Sequence, residues 1–283
     1  MKFSTKDLDL RSRFFSSVYA CGDIHGSFHT FIFDLKRKKI RNAAVIICGD
    51  ISLGFSKPAY YDQVFKLMQS KLYDLNVTVL MFRGNHDDPA WFSFNDAGFD
   101  YDYPNIVVLD DYSVVRLKDD LSVLVIGGAV SIDRKLRELN GYKHWAGEKV
   151  RPPEKGMIRK FCSLPGRRVV CSHTAPDFVN ATAGNAPADV IENFISLGDK
   201  NLRGDIDKDR KTLTRCRELM NPAPELWLYG HFHAHAEETA GGVKYVMLDR
   251  LRDNISHTRH DTTIPDSDFW LKRDDMCDWY KVL

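Results

Sequence analysis

The sequence is short of almost everything that would mark a specialised surface. Its 40 Lys and Arg against 39 Asp and Glu leave a net charge of +1, which excludes polyanion binding by bulk charge while allowing a local basic patch. No uninterrupted apolar stretch could cross a bilayer, and the opening MKFSTKDLDLRSRFF has no apolar centre of signal-peptide length. There is no internal repeat and no low-complexity tract. No serine or cysteine stands in a nucleophile elbow, so phosphate transfer through a covalent enzyme intermediate has no evident nucleophile. Of the six cysteines, Cys21, Cys48 and Cys171 lie in or beside apolar runs (YACGD, VIICGD, VVCSH). That placement reads as small buried hydrophobes in a reducing compartment, not as a disulfide framework. The expectation is a soluble, cytoplasmic protein with no membrane association.

What is present is a supply of short apolar runs ending in glycine or a polar residue. SSVYAC, AAVIIC, VTVLMF, IVVLD, SVVRL, LSVLVIGG, RRVVCS, ELWLYG and VKYVML are rich in valine and isoleucine and read as strands. Helical periodicity fills Phe28 to Lys39, Tyr60 to Leu72 and Asp205 to Met220. The first third alternates strand and helix, the signature of a partly parallel sheet, whereas the closely spaced runs from Ile106 to Gly128 suggest hairpins. A chain of 283 residues with 43% hydrophobic content can bury one large core, so residues 1–283 are expected to form a single α/β domain. The polar stretch 131–166 is either a cap over a site or an ordinary long connection. The aromatics of DFWLKRDDMCDWYKVL suggest that the tail, 251–283, docks on the body.

Chemistry-bearing residues gather where strands end. After VYAC come Asp23 and His25; after VIIC comes Asp50; after VTVLMF come Arg83, Asn85 and His86. After RVVCS comes His173, and after ELWLY come His231, His233 and His235. A polar knot such as FRGNHDD after a buried run is a poor way to build a core and a good way to build a site. Two cations about 3.5–4 Å apart need a shared carboxylate with imidazole and oxygen donors around it. Asp50 suits the shared position. If the backbone stays extended, DIH and HFH place alternate side chains on one face. Each cluster alone has a bland reading as a turn, a cap or a structural metal tract; five in order do not.

The set GDIHG, GD, GNHD, a later strand-end His and GHxH resembles the calcineurin-like metallophosphoesterase superfamily, over about Tyr19 to His233. The resemblance implies a four-layer α/β/β/α sandwich of two mixed β-sheets flanked by helices. It implies one metal on Asp23, His25, Asp50 and His233, and a second on Asp50, Asn85, His173 and His231. Arg83 before GNH is shared with the serine/threonine protein phosphatases, but ISLGFSK after Asp50 lacks their second Asp and Arg. GGAVSIDRKLR and the HW after it are similar to bacterial and phage metallophosphoesterases.

The activity so implied is hydrolysis of a phosphate ester, foremost a monoester, by a bridging water or hydroxide on two divalent or mixed-valence ions. Manganese is favoured, with iron and zinc as alternatives. The same centre would serve a cyclic-nucleotide or other phosphodiesterase; a nuclease or a non-catalytic metal-stabilised binding protein ranks below. His86 is the candidate general acid, helped by a carboxylate such as Asp87 or Asp50. Arg83 is a candidate phosphate clamp or else a loop-supporting ion pair. Arg134 and Arg137 are candidate substrate contacts or else solvent-facing charges. A phosphoprotein or nucleotide is the expected partner, with no signal for duplex nucleic acid; oligomeric state is not legible.

Overall fold

Strand β3 (Ala43–Ile47) shows how the chain is layered. All five residues are buried, but on alternate faces: Ala43, Val45 and Ile47 pack among helical side chains, whereas Ala44, Ile46 and the following Cys48 meet a second sheet. A strand covered on both faces must be apolar at every position, which is why AAVIIC runs unbroken. In β7 (Leu121–Ile126) the same sorting sends Leu121, Val123 and Val125 to the intersheet core and Leu124 and Ile126 outward.

The computed structural model describes residues 6–93, 103–181, 188–251 and 279–283. One sheet has β2 (Ser17–Cys21), β3, β4 (Val77–Met81) and β5 (Ile106–Val108) parallel and adjacent, with β12 (Tyr280–Lys281) antiparallel along β2. The crossovers are α1 (Phe28–Arg37) and α2 (Pro58–Leu75), whose Phe31, Leu35, Phe65, Met68 and Leu72 cover the outer face. Helix α2 starts on Pro58, whose missing N–H costs nothing there, and stops at Asn76 in left-handed conformation.

Among the described residues the second sheet has seven strands. Its order is β1 (Asp7–Asp9), β6 (Val114–Lys118), β7, β8 (Arg167–Ser172), β9 (Leu226–Tyr229), β11 (Val243–Met247) and β10 (Ala236–Ala240). β6 and β7 form the expected hairpin, and β7, β8, β9 and β11 run parallel. Ile158 and Phe161 of α4 (Lys155–Ser163) and Leu213 and Cys216 of α6 (Leu202–Glu218) cover its outer face. Helices, sheet, sheet and helices make the four-layer α/β/β/α sandwich.

Strands β1, β10 and β12 and helix α5 (Ala188–Ser196) are additions to the sequence reading. β10 reads AEETA and lies half out of the protein as an edge strand, so it has no hydrophobic pattern to find. The stretch 131–166 holds α3 (Arg134–Leu139), with no buried residue, and α4. Of the tail, 252–278 lies outside the described residues. At its end Trp279 stacks on Phe31 at 5.3 Å and donates its indole N–H to Asp34 Oδ2 at 2.8 Å. No helix among the described residues is long and apolar enough to cross a membrane.

Candidate functional site

Because β2, β3 and β4 are parallel, the residues after them leave one edge of the five-stranded sheet together; those after β8 and β9 leave the seven-stranded sheet likewise. The two edges meet. His231 donates its backbone N–H to Asp23 Oδ1 at 2.9 Å, and His173 donates Nδ1–H to the Cys48 carbonyl at 2.8 Å. Both bonds join one sheet to the other, so the residues of the site also close the sandwich at this end.

The backbone here is not extended, contrary to the expectation for DIH and HFH. His25, Asp50, His231 and His233 all have positive φ, at 44°, 50°, 70° and 53°. Left-handed backbone at a non-glycine residue costs on the order of 1 kcal/mol, and four such residues in one cluster indicate that their placement matters more than local comfort. Convergence therefore arises from sharp turns and not from strand alternation. Close approach is the second requirement. A Cβ on Gly84 would lie 2.1 Å from Asp50 Oδ1, and one on Gly49 would lie 2.3 Å from His173 Nδ1. Glycine is compulsory at both.

Asp23, His25, Asp50 and His233 each offer a donor atom, all within 4.8 Å of one another. His25 Nε2 is 2.9 Å from His233 Nε2, 3.6 Å from Asp23 Oδ2 and 3.7 Å from Asp50 Oδ2. Donors bonded to one ion at about 2.1 Å stand ~3 Å apart, so this spacing fits a single cation. Both carboxylates are buried. Despite the cost of burial, His233 and His25 hold Asp23 below the usual range, and His173 does the same for Asp50. Both are charged at neutral pH.

A second group meets the other oxygen of Asp50. His173 Nε2 lies 3.2 Å from Asp50 Oδ1 and 2.8 Å from Asn85 Oδ1, and the His231 ring packs edge-on against His173 at 5.0 Å. With one proton held on Nδ1 by Cys48, a neutral His173 would turn a lone pair toward two oxygens, an arrangement that calls for positive charge between them. Against the cost of burial, Asp50 raises the His173 imidazole to about 9, the same demand met by a proton. Burial and the neighbouring His173 lower His231 to about 3, so it stays a neutral donor. Mixed carboxylate, amide and imidazole donors fit manganese, iron or zinc, and not a calcium-only site.

Asn85 is aimed by residues that no motif revealed. Its Nδ2 donates to Ser131 Oγ at 2.9 Å, and Ser131 donates to Glu148 Oε2 at 2.6 Å and through its backbone N–H to Oε1 at 3.0 Å. Burial of an acid and a serine beside the ligand is a structural signal; in sequence they are two ordinary polar residues. Asp87 also differs from expectation. Its carboxylate accepts the backbone N–H groups of Ile51, Leu53 and Gly84, tying two ligand loops together, and so does not partner the His86 ring.

The three arginines separate. Arg83 is fully buried and turned away from the centre: its Nε and Nη2 bind Asp111 Oδ2 at 3.0 and 2.8 Å, and its other N–H groups reach the carbonyls of Gly147, Glu148 and Lys149. All five donors are committed, which leaves none for a phosphate clamp. Arg134 is likewise withdrawn, held by Asp199 at 2.6 and 2.9 Å and by Asp205 at 2.8 Å. Arg137 does reach the site, with Nη2 2.9 Å from His86 Nδ1 and Nε on Asp133. Since a guanidinium only donates, His86 accepts at Nδ1 and carries its own proton on Nε2. Burial, together with the charges of His25 and Arg137, lowers the His86 pKa despite Asp50. The resting ring is neutral, so the imidazolium needed for general-acid work is disfavoured. His235 is exposed, 4.0 Å from Glu237.

Fold and site together define a metal-dependent phosphoesterase scaffold. Residues 16–235 match the family model for calcineurin-like phosphoesterase, and the chain belongs to that family. No curated protein matches. One crystal structure is 15% identical, covers 81% of this chain and 89% of its own, and has a TM-score of 0.50. A phosphopantetheinyl hydrolase from Mycobacterium tuberculosis is 14% identical with 83% and 89% covered and a TM-score of 0.41. A cold-active protein-tyrosine phosphatase of a psychrophilic Shewanella is 14% identical, with 86% and 72% covered and a TM-score of 0.35. At 15% identity the likeness to the first of these structures concerns the fold alone.

Proposed function

We propose that the protein is a phosphomonoesterase working at a dinuclear centre, with Asp23, His25, Asp50 and His233 holding one cation and Asp50, Asn85, His173 and His231 the other. The supporting observation is Asp50 itself: Oδ2 faces His25 and Oδ1 faces His173, so one carboxylate belongs to both groups. Two divalent ions bound there would supply a water of lowered pKa and offset charge on the phosphate oxygens. His86, oriented by Arg137, offers Nε2–H as a hydrogen-bond donor to the leaving oxygen, whose proton then comes from solvent. Residues 131–166 serve as a cap within a single domain. The free buried thiols of Cys21, Cys48 and Cys171 support a cytoplasmic setting.

Diester hydrolysis is a second reading, favoured by the withdrawal of Arg83 and Arg134. A monoester dianion asks for more cationic contacts than a diester, and of the three expected arginines only Arg137 reaches the site. Manganese-loaded protein is expected to hydrolyse p-nitrophenyl phosphate faster than bis-p-nitrophenyl phosphate, with His86→Ala losing about 10²–10³-fold while retaining metal. The reverse preference selects the diesterase. Protein carrying two equivalents of metal and hydrolysing neither ester would sink both readings.

A further inference from the structure

We propose that the cavity beside His86 receives the group esterified to the phosphate, and that this group bears a planar aromatic ring of nucleobase type. The inference rests on the phosphoesterase reading above. The cavity has a volume of about 490 Å³ and is lined by Phe55, Asp133, Leu136, Arg137, Tyr142 and Lys143. That is ample for a nucleoside and large for a simple alkyl alcohol. It adjoins the centre through two of its walls. Arg137 touches His86 Nδ1, and the Phe55 ring lies near-parallel to the His86 ring with centroids 6.5 Å apart. A group leaving the phosphate on the His86 side has this space beside it.

The lining selects for a flat ring. Phe55 is fixed edge-on against Trp145 at 4.7 Å, and its loop is pinned by Lys143, whose ammonium donates to the carbonyls of Gly54 and Phe55 at 2.6 and 3.1 Å. The lysine is thereby engaged in building the wall. Tyr142 and Leu136, 68% and 40% exposed, add apolar surface that the core does not use. The Arg137 guanidinium lies 5.9 Å from the Phe55 ring centre, and its Nη1 has no hydrogen-bond partner among the described residues. A ring with acceptor atoms on its edge can stack on the aromatics and take that donor, which a phenyl group or an open-chain alcohol cannot do in full.

The test compares adenosine 5′-monophosphate with ribose 5-phosphate, which share the leaving alkoxide and differ by the base. In the metal-loaded protein kcat/KM is expected to favour the nucleotide by about tenfold or more. Tyr142→Ala, at an exposed position, and Phe55→Leu, which keeps a large apolar side chain, should each bring that ratio close to one. Saturation-transfer NMR on metal-stripped protein with adenosine 5′-monophosphate reads the cavity without turnover: the base protons should be saturated, and Tyr142→Ala should abolish the signal. Equal kcat/KM for the two esters, an unchanged ratio in Tyr142→Ala, or base protons that receive no saturation would each overturn the proposal. Failure of the phosphoesterase reading has a different mark, the absence of hydrolysis of every ester, and the NMR result still decides whether the cavity binds the ring.

Discussion

The two halves of the proposed centre hold their donors differently. In one, His25 and His233 stand on left-handed turns with side chains 22% and 32% exposed. In the other, His231 also stands on a left-handed turn, but His173 is fully buried and Asn85 nearly so, and these two are each held by a hydrogen bond on the atom facing away from the centre, to Cys48 and to Ser131. A donor already locked in place loses little freedom on binding an ion, whereas a half-open one must still be ordered. The inner half is therefore expected to hold its cation more tightly, and the outer half to exchange with solvent.

Asp50 is where the halves meet, so its loss should be the most damaging change. Asp50→Asn is expected to lower turnover by about 10³-fold or more and the metal content from two equivalents to at most one, read by ester hydrolysis and elemental analysis. A variant that keeps both ions and its rate would show that the two groups do not share the carboxylate.

The next largest effect concerns the wall behind the inner half. Arg83 is buried among Asp111 and three carbonyls, and its removal leaves the buried Asp111 carboxylate only the half-exposed Arg151 at 3.2 Å and the Gly127 N–H; breaking a buried pair costs up to about 3–5 kcal/mol. Arg83→Met should shift the urea midpoint accordingly and leave KM of the folded fraction unchanged. A raised KM at unaltered stability would return Arg83 to the role of phosphate clamp.

The halves themselves can be separated by chelator titration. Metal should leave in two steps, and Ser131→Ala, which frees the Asn85 amide, should weaken only the tighter step, by about 10–100-fold. Equal weakening of both steps, or a single step in the parent protein, would erase the distinction drawn between the halves.

The convergence of these residues was legible because metal chemistry restricts residue type: Asp, His and Asn directly after apolar runs have few structural uses in that order. The four layers were legible for a related reason, since continuous runs such as AAVIIC demand cover on both faces. What was not legible depends on partners far along the chain. Nothing near FRGNHDD reveals that Arg83 will be consumed by Asp111 and by carbonyls 64–66 residues away. Arg134 and Arg137 lie one turn apart on the same short helix, and only the folded position of α3 sends one to Asp199 and the other to His86. Backbone strain was equally hidden: Asp and His enter the left-handed region more often than most residues, but nothing in their sequence setting announces positive φ at these positions.

The smallest effect tests the scaffold under the inner half by pH. Glu148, Lys149 and Val150 are consecutive: the first carries Ser131, the first two accept from Arg83, and Val150 donates its N–H to Asp209 Oδ1 at 3.1 Å. Among the described residues Asp209 Oδ2 is buried with no hydrogen-bond partner, and burial, opposed by Val150, Lys149 and Arg83, raises its carboxyl from 3.8 to about 7. A raised acid favours the protonated folded state, so its contribution to stability is complete below pH ~4 and is lost as pH climbs from there through about 7. Asp209→Asn removes the charge while keeping an oxygen for Val150. The variant should be more stable than the parent above pH 7, by on the order of 2 kcal/mol, with the gain shrinking toward pH 4. Urea denaturation at pH 5, 6, 7 and 8 measures that slope. A gain independent of pH would mean that Asp209 is not the group whose ionisation loosens the segment behind Asn85, and that the rigidity of the inner half does not pass through it.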